Sequence, residues 1–241
     1  MTPLREGGSL PGLIEADDSG LYVTKFRAAG QGTLALVAEV IVGELARAIG
    51  LPVPEQVIIR IDPALGLAEP DPEIQDLIVA SAGENLGVDF LPGAAGYSPA
   101  LRWSPDPELA ANIVWLDGLV TNVDRTPRNP NLLLWHDQLW LIDHGATLYL
   151  QHRGLRPAEH SGQPFPQIAE HVLLSAAGSI IAADERLAPR IDRALLESIA
   201  DLVPAGWFAA EPASTYVDYL ARRLEPPRQF VAEAENARAS A

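Results

Sequence analysis

The sequence has no cysteine, one methionine and no apolar run long enough to cross a bilayer. Without cysteine, the chain can form neither a disulfide nor a thiolate zinc site, and it has no thiol nucleophile. Residues 1–8 also lack the apolar core of a signal peptide. We therefore expect a cytoplasmic protein without thiol chemistry.

Basic residues are scarce, with 17 Lys and Arg against 32 Asp and Glu, for a formal net charge of −15. A field of this sign repels nucleic acid and anionic membranes, so we expect neither as a partner. ATP is also an anion, so a nucleotide site would need local backbone N–H groups, placed cations or bound metal. The 241 residues suffice for one large domain or one domain of two lobes.

The order of local patterns predicts a β-rich part followed by a helical part. Short strands are expected at residues 10–15, 21–26 and 56–61, and a helix at residues 33–49. A connection rich in proline and acidic residues follows the third strand. The Pro- and Gly-rich stretch at residues 91–107 is the candidate lobe boundary. We expect a nucleotide-binding lobe over residues 1–93 and a helical catalytic lobe over residues 94–241.

Asp124 and Asn129 lie five residues apart in a proline-containing loop, just before a predicted hairpin that ends at Asp143. Phosphoryl transfer needs a carboxylate that takes the nucleophile's proton, and an amide and a second carboxylate that hold metal. Asp124 is thus predicted as the base, and Asn129 and Asp143 as ligands of magnesium or manganese. Each residue alone is explained by a turn or a strand end, but their order favours a site.

Two arginines of this loop have less specific interpretations. Arg128 could neutralise charge on the transferred phosphoryl group, and Arg125 could steady the loop. Exposed salt bridges explain both equally well.

Lys25 lies on a predicted strand, on the same face as Leu21 and Val23. A strand lysine usually lies at an exposed edge, which is the simpler interpretation. Glu39, however, projects from an apolar helix face, since its neighbours three and four positions away are Ala, Leu, Val and Gly. An unpaired buried carboxylate is costly, so we expect a Lys25–Glu39 ion pair of the kind that orients a lysine onto ATP phosphates.

Two further features carry weaker signals. Gly7, Gly8 and Ser9 could form a loop that covers phosphate through backbone N–H groups, although a plain turn is equally consistent. None of the five histidines forms the i, i+4 pair of a helical zinc motif, so we interpret them mostly as structural or surface residues.

The loop from Asp124 to Asn129 and the Ile-Asp-His-Gly motif around Asp143 resemble the HipA-like kinases of the protein-kinase-like superfamily. Both motifs are also similar to those of phosphatidylinositol kinases. Glu39, followed by an apolar helix and Gly-Leu-Pro-Val, resembles the HipA-like pattern as well. The motifs depart from other kinases in lacking His-Arg-Asp and in having Asp-His-Gly in place of Asp-Phe-Gly.

The resemblance implies an α+β, two-lobed protein-kinase-like fold with a small antiparallel β lobe and a larger, mainly helical lobe. It implies Lys25 on the ATP phosphates and an adenine-contacting hinge that includes Asp89, Phe90 and Leu91. The predicted function is ATP- and magnesium-dependent phosphate transfer to a hydroxyl of a protein Ser/Thr or a small molecule. The alternatives are a pseudokinase or nucleotide-binding scaffold without turnover, and a metal-dependent hydrolase that uses Asp143 and His144.

Overall fold

The computed structural model describes residues 2–3, 11–208 and 211–241. A small antiparallel sheet with two helices comes first, and a mainly helical region follows. The first part contains β1 (Thr2–Pro3), β2 (Gly12–Glu15), β3 (Leu21–Lys25), α1 (Thr33–Ala48), β4 (Gln56–Ile61), α2 (Pro72–Ala80) and β5 (Gly83–Asp89). The second contains β6 (Ala95–Gly96), α3 (Pro107–Leu119), β7 (Leu132–Trp135), β8 (Gln138–Leu141), α4 (Pro157–His160), α5 (Ile180–Leu187), α6 (Arg193–Ala200), α7 (Ala213–Arg223) and α8 (Gln229–Ala239). This is the predicted α+β architecture.

The first sheet has the strand order β1-β2-β3-β5-β4, and all its pairs are antiparallel. Strand β5 lies between β3 and β4, where Lys25 of β3 is paired with Leu86 of β5. The sequence prediction missed both β5 and α2, because the acids and prolines before them were assigned to a connection. Asp71 instead caps α2 by accepting a hydrogen bond from the backbone N–H of Glu73 at 3.0 Å, and Pro72 occupies the first helical position.

Helix α1 belongs by sequence to the first part, but its apolar side chains join the main core with α3 and the C-terminal helices. Its C-terminal carbonyls accept hydrogen bonds from Arg190, at 2.7 Å for Ile49 and 3.2 Å for Ala48. At its first turn, the Leu34 carbonyl accepts a hydrogen bond from the Gln151 side chain at 3.1 Å. The later part of the chain therefore holds α1 at both ends.

Helix α3 begins as the sequence predicts. Asp106 accepts hydrogen bonds from the backbone N–H groups of Glu108 and Leu109 at 2.9 and 3.0 Å, and Pro107 follows this cap. The hairpin after α3 turns at His136 and Asp137, which both have positive φ, as a tight two-residue turn requires. Strand β8 ends one residue before the predicted end at Ile142, and places the Asp-His-Gly motif directly after the sheet.

The C-terminal third consists of short helices around large buried aromatic side chains. Trp207, Tyr216 and Tyr219 are each 1% exposed. Over residues 2–3, 11–208 and 211–241, no helix is long and apolar enough to cross a membrane.

Candidate active site

Lys25 lies between two carboxylates that come from distant parts of the chain. Its Nζ forms an ion pair with Glu39 and lies 2.7 Å from Oδ1 of Asp143. The Lys25 and Glu39 side chains are 15% and 3% exposed. Leu21, which lies on the same strand face, is 43% exposed. The burial of Lys25 therefore depends on α1 and the Asp143 loop rather than on a fully buried strand face.

The charges of this cluster stabilise one another. Burial disfavours the charged form of Lys25, but Glu39 and Asp143 outweigh this cost and raise the lysine pKa. Burial also opposes ionisation of Asp143, yet the Lys25 ammonium lowers the pKa of this carboxyl from 3.8 to about 2. Burial raises the pKa of Glu39. Because two carboxyl groups share one ammonium, the cluster keeps acceptor oxygens that a further cation could satisfy.

Gly145, from the Asp-His-Gly motif, holds Glu39 from the other side. Its backbone N–H donates a hydrogen bond to Oε1 of Glu39 at 2.8 Å. A Cβ atom at position 145 would lie 3.1 Å from that oxygen and 3.5 Å from the Ala35 side chain. Glycine thus allows a close approach of the loop to α1 that a larger residue would crowd.

Asp124 is held by two asparagines of its own loop. Its Oδ2 accepts hydrogen bonds from the side-chain amides of Asn129 at 2.8 Å and Asn131 at 3.1 Å. Reciprocal backbone hydrogen bonds of 3.1 Å join Thr126 and Asn129 and close the turn. The sequence prediction missed Asn131, for which the signal would have been a second Asn beside Pro130. In the structure Asn131 has a φ of 50°.

One cavity of about 300 Å³ brings four of the predicted residues together. Lys25, Glu39, Asp124 and Asp143 all line it. Residues 29–32 form another part of its wall, which we did not predict from the sequence. The available signal was the two glycines themselves, since Gly30 and Gly32 both adopt the positive φ that glycine allows.

The remaining predicted residues lie elsewhere. Arg128 is exposed and lines a separate groove. Asp89, Phe90 and Leu91 connect β5 to the second part of the chain, where the Phe90 N–H donates to the Leu21 carbonyl at 2.9 Å, but they do not line the cavity. The hinge role of these three residues stays a prediction. Gly7, Gly8 and Ser9 lie outside the described residues.

A buried ionic network joins the Asp124 loop to α3 and to the end of β8. Arg125 Nε lies 2.5 Å from Oδ2 of Asp117, and both side chains are fully buried. The Arg125 guanidinium also donates to the backbone carbonyls of Asn131 and, at 3.4 Å, Ile142. Arg125 thus joins the loop to the end of β8, as a steadying role predicts, and its interpretation as an exposed salt bridge is wrong.

His171 completes the network from the C-terminal region. Its Nδ1 accepts a hydrogen bond from the Leu173 N–H at 3.0 Å, so the neutral ring carries its proton on Nε2. Nε2 lies 2.9 Å from Oδ2 of Asp117 and donates to it. Burial opposes ionisation of Asp117, but Arg125 and His171 outweigh burial and hold the pKa of this carboxyl far below its usual range.

His144 faces this network instead of the cavity. It is 1% exposed, and its Nδ1 lies 3.4 Å from Nη2 of Arg125. Burial, with Arg125 nearby, lowers the pKa of His144 to about 3, so the ring is neutral. In the part of the chain that the structure describes, no three His, Asp or Glu side chains form a group that could hold a metal ion. This geometry gives no support to a hydrolase that uses Asp143 and His144 together.

Comparison with known proteins identifies a solved structure with a similar fold and a protein family. No curated protein matches the chain. The crystal structure of the Helicobacter pylori proinflammatory kinase CtkA is similar, with 15% sequence identity and a TM-score of 0.59, over 99% of this chain and 94% of that one. At this identity the likeness concerns the fold, which is the predicted two-lobed, protein-kinase-like one. A family model described as HipA-like kinase matches residues 1–226, and the chain therefore belongs to the HipA-like kinase family.

Proposed function

We propose that this kinase-like phosphotransferase uses ATP and magnesium to transfer the γ-phosphate to an acceptor hydroxyl, with Asp124 as the base. The observation that carries the proposal is the single cavity lined by Lys25, Asp124 and Asp143, which are distant in sequence. A lysine, a base and a metal-binding carboxylate are the groups that phosphoryl transfer requires.

Lys25 is suited to bind the phosphates of ATP. Its ammonium lines the cavity, and its raised pKa keeps it charged at neutral pH. Glu39 fixes the ammonium from one side while the Gly145 N–H fixes Glu39. A cation positioned in this way acts on the phosphates without reorganising in each turnover.

Asp143 lines the cavity, and Asn129 is bonded to Asp124, which also lines it; both have side-chain oxygens that would suit a magnesium ion. The Asp143 side chain is 50% exposed, and its pKa of about 2 keeps it ionised at neutral pH. The Asn129 amide nitrogen is bonded to Asp124, which leaves its side-chain oxygen for a metal. Magnesium prefers oxygen ligands and needs only one or two from the protein when substrate phosphates supply others. Bound there, it would neutralise charge on the transferred phosphoryl group.

Asp124 is placed to take the acceptor's proton. Asn129 and Asn131 both donate to Oδ2, so Oδ1 remains for the incoming hydroxyl. In the transfer, the acceptor oxygen bonds to the γ-phosphorus while the bond from that phosphorus to the bridging oxygen breaks. The electron pair leaves with ADP, and the hydroxyl proton passes to Asp124.

The test is magnesium-dependent ADP formation and transfer of labelled γ-phosphate by the wild type and Asp124→Asn. We expect Asp124→Asn to lower kcat by a factor of about 10² to 10⁴, with the Kd for Mg-ATP changed only a few-fold. Asp137→Asn is the matched control, because Asp137 is exposed in the β7–β8 turn. ATP binding without any turnover would favour the scaffold alternative, and full turnover by Asp124→Asn would exclude this base.

A further inference from the structure

Arg128 lies beside the proposed base but outside its cavity. It lines a groove of about 610 Å³ on another side of the loop, together with Thr126, Pro127, Val172 and Leu174. Among residues 2–3, 11–208 and 211–241, no carboxylate lies within ion-pair distance of its guanidinium. Arg128 thus lies on a different surface from the cavity that Lys25, Asp124 and Asp143 line.

The loop fixes the position of Arg128 relative to Asp124. Arg125 anchors the loop through Asp117, and the reciprocal Thr126–Asn129 hydrogen bonds close it. Four residues of chain span at most about 14 Å. An extended acceptor rises about 3.3 Å per residue, so the backbone separation of Asp124 and Arg128 corresponds to at most about four residues of the acceptor.

The chemistry of the groove indicates what this group is. An exposed guanidinium binds a carboxylate or phosphate through two parallel hydrogen bonds. Glu170 is exposed and also lines the groove, and the chain as a whole carries a charge of −15. Both would repel a run of acidic residues, so the surroundings favour one anionic group flanked by neutral residues. The apolar walls of Val172, Leu174 and the prolines suit the side chains of a polypeptide.

We propose that the acceptor is a protein segment with a single acidic or phosphorylated residue within about four positions of the modified Ser or Thr, and that Arg128 binds this anion. The inference rests on the proposed phosphotransfer function and names its substrate class. Arg128 is then a specificity-determining residue that contacts the acceptor, and its effect should depend on the acceptor's charge.

The experiment uses the full chain with Mg-ATP and a library of Ser/Thr peptides that carry Asp, phosphoserine, Ala or Lys at each flanking position. Wild type, Arg128→Lys and Arg128→Glu are compared. Arg222→Glu is the control, because Arg222 is also exposed and lines a different cavity. The readout is the ratio of kcat/KM for acidic and basic peptides, and ADP formation is followed in parallel.

We expect the wild type to prefer the acidic peptide by about tenfold or more at one position. Arg128→Glu should invert the preference toward Lys, Arg128→Lys should keep part of it, and Arg222→Glu should leave the ratio unchanged. An equal loss on all peptides in Arg128→Glu would overturn the proposal, as would a wild type indifferent to charge.

Two further outcomes separate this inference from the proposed function. If no peptide is labelled while ADP still forms in an Asp124-dependent way, phosphotransfer stands and the acidic protein acceptor is wrong. If ATP is neither bound nor turned over, the proposed function fails and this inference fails with it.

Discussion

Removing Asp117 should destabilise the protein strongly, because it leaves Arg125 charged and buried without a counter-ion. Both side chains are fully buried and lie 2.5 Å apart. Breaking such a pair from one side costs about 3–5 kcal/mol, which is a large part of the roughly 5–15 kcal/mol that stabilises a typical domain. For a chain of this size, this corresponds to a fall in Tm of about 6–20 °C in Asp117→Ala.

Removing Arg125 instead should lower the unfolding free energy less at acid pH, because the two partners differ in whether they can become neutral when unpaired. A buried carboxyl can become neutral by taking up a proton, whereas a guanidinium cannot lose its proton in a protein. In wild type, Arg125 and His171 keep the pKa of Asp117 low in spite of burial. In Arg125→Met, that pKa should rise, so the deficit in unfolding free energy should shrink as the pH falls from 8 to 5.

Urea unfolding of Asp117→Ala, Arg125→Met and the double variant with both of these substitutions tests this reasoning. The double variant should be less destabilised than the sum of the single variants by at least about 1 kcal/mol, since neither charge is left unpaired. Additive free energies, or an Asp117→Ala protein as stable as wild type, would refute the argument that this pair is coupled and buried.

Two further predictions concern the cavity. Gly145→Ala places a methyl group 3.1 Å from Oε1 of Glu39 and should weaken Mg-ATP binding about tenfold, as measured by calorimetry. Gly162→Ala is the control, because a methyl group there would lie in open space and should leave the Kd unchanged. Equal effects of the two substitutions on the Kd would contradict this prediction. The pKa of Asp143 is lowered from 3.8 to about 2, so its pair with Lys25 adds stability that is present above about pH 4 and lost as the pH falls through 2. Asp143→Asn should therefore lower the unfolding free energy at pH 7 and not near pH 2, and an equal effect at both pH values would rule out this linkage.

The elements that could be predicted from the sequence are those with complete local signals. Helix α3 has an Asp-Pro start, and the β7–β8 hairpin has two apolar runs around a short polar turn. Strand β5 could not be recognised, because Gly83, Glu84, Asn85, Gly87 and Asp89 have low strand propensity. It forms a strand because it pairs with β3 on one side and β4 on the other. These partners lie elsewhere in the chain, so the local sequence of β5 does not reveal the pairing.

The site residues also divide into those that could be predicted from the sequence and those that could not. Asp124, Asn129 and Asp143 could be proposed from their order in the chain, and Glu39 from its place on an apolar helix face. For Arg125 the sequence left open a steadying role and an exposed salt bridge, because its partners are set by the tertiary fold. Asp117 belongs to α3, and His171, which shares that carboxylate, comes from the C-terminal region. Sequence patterns indicate which groups do chemistry, whereas the buried groups that hold them become apparent only with the fold.

The packing of α1 bears on how Glu39 can act. A helix that carries only a catalytic carboxylate could swing away and break the ion pair with Lys25, which would make the site switchable. Here the apolar residues of α1 form part of the main core, and Gln151 and Arg190 bind its two ends. Moving the helix would expose fully buried residues such as Val37 and Leu45, and each would cost about 1.5–3 kcal/mol. The packing that holds the main core together therefore also holds Glu39 against Lys25.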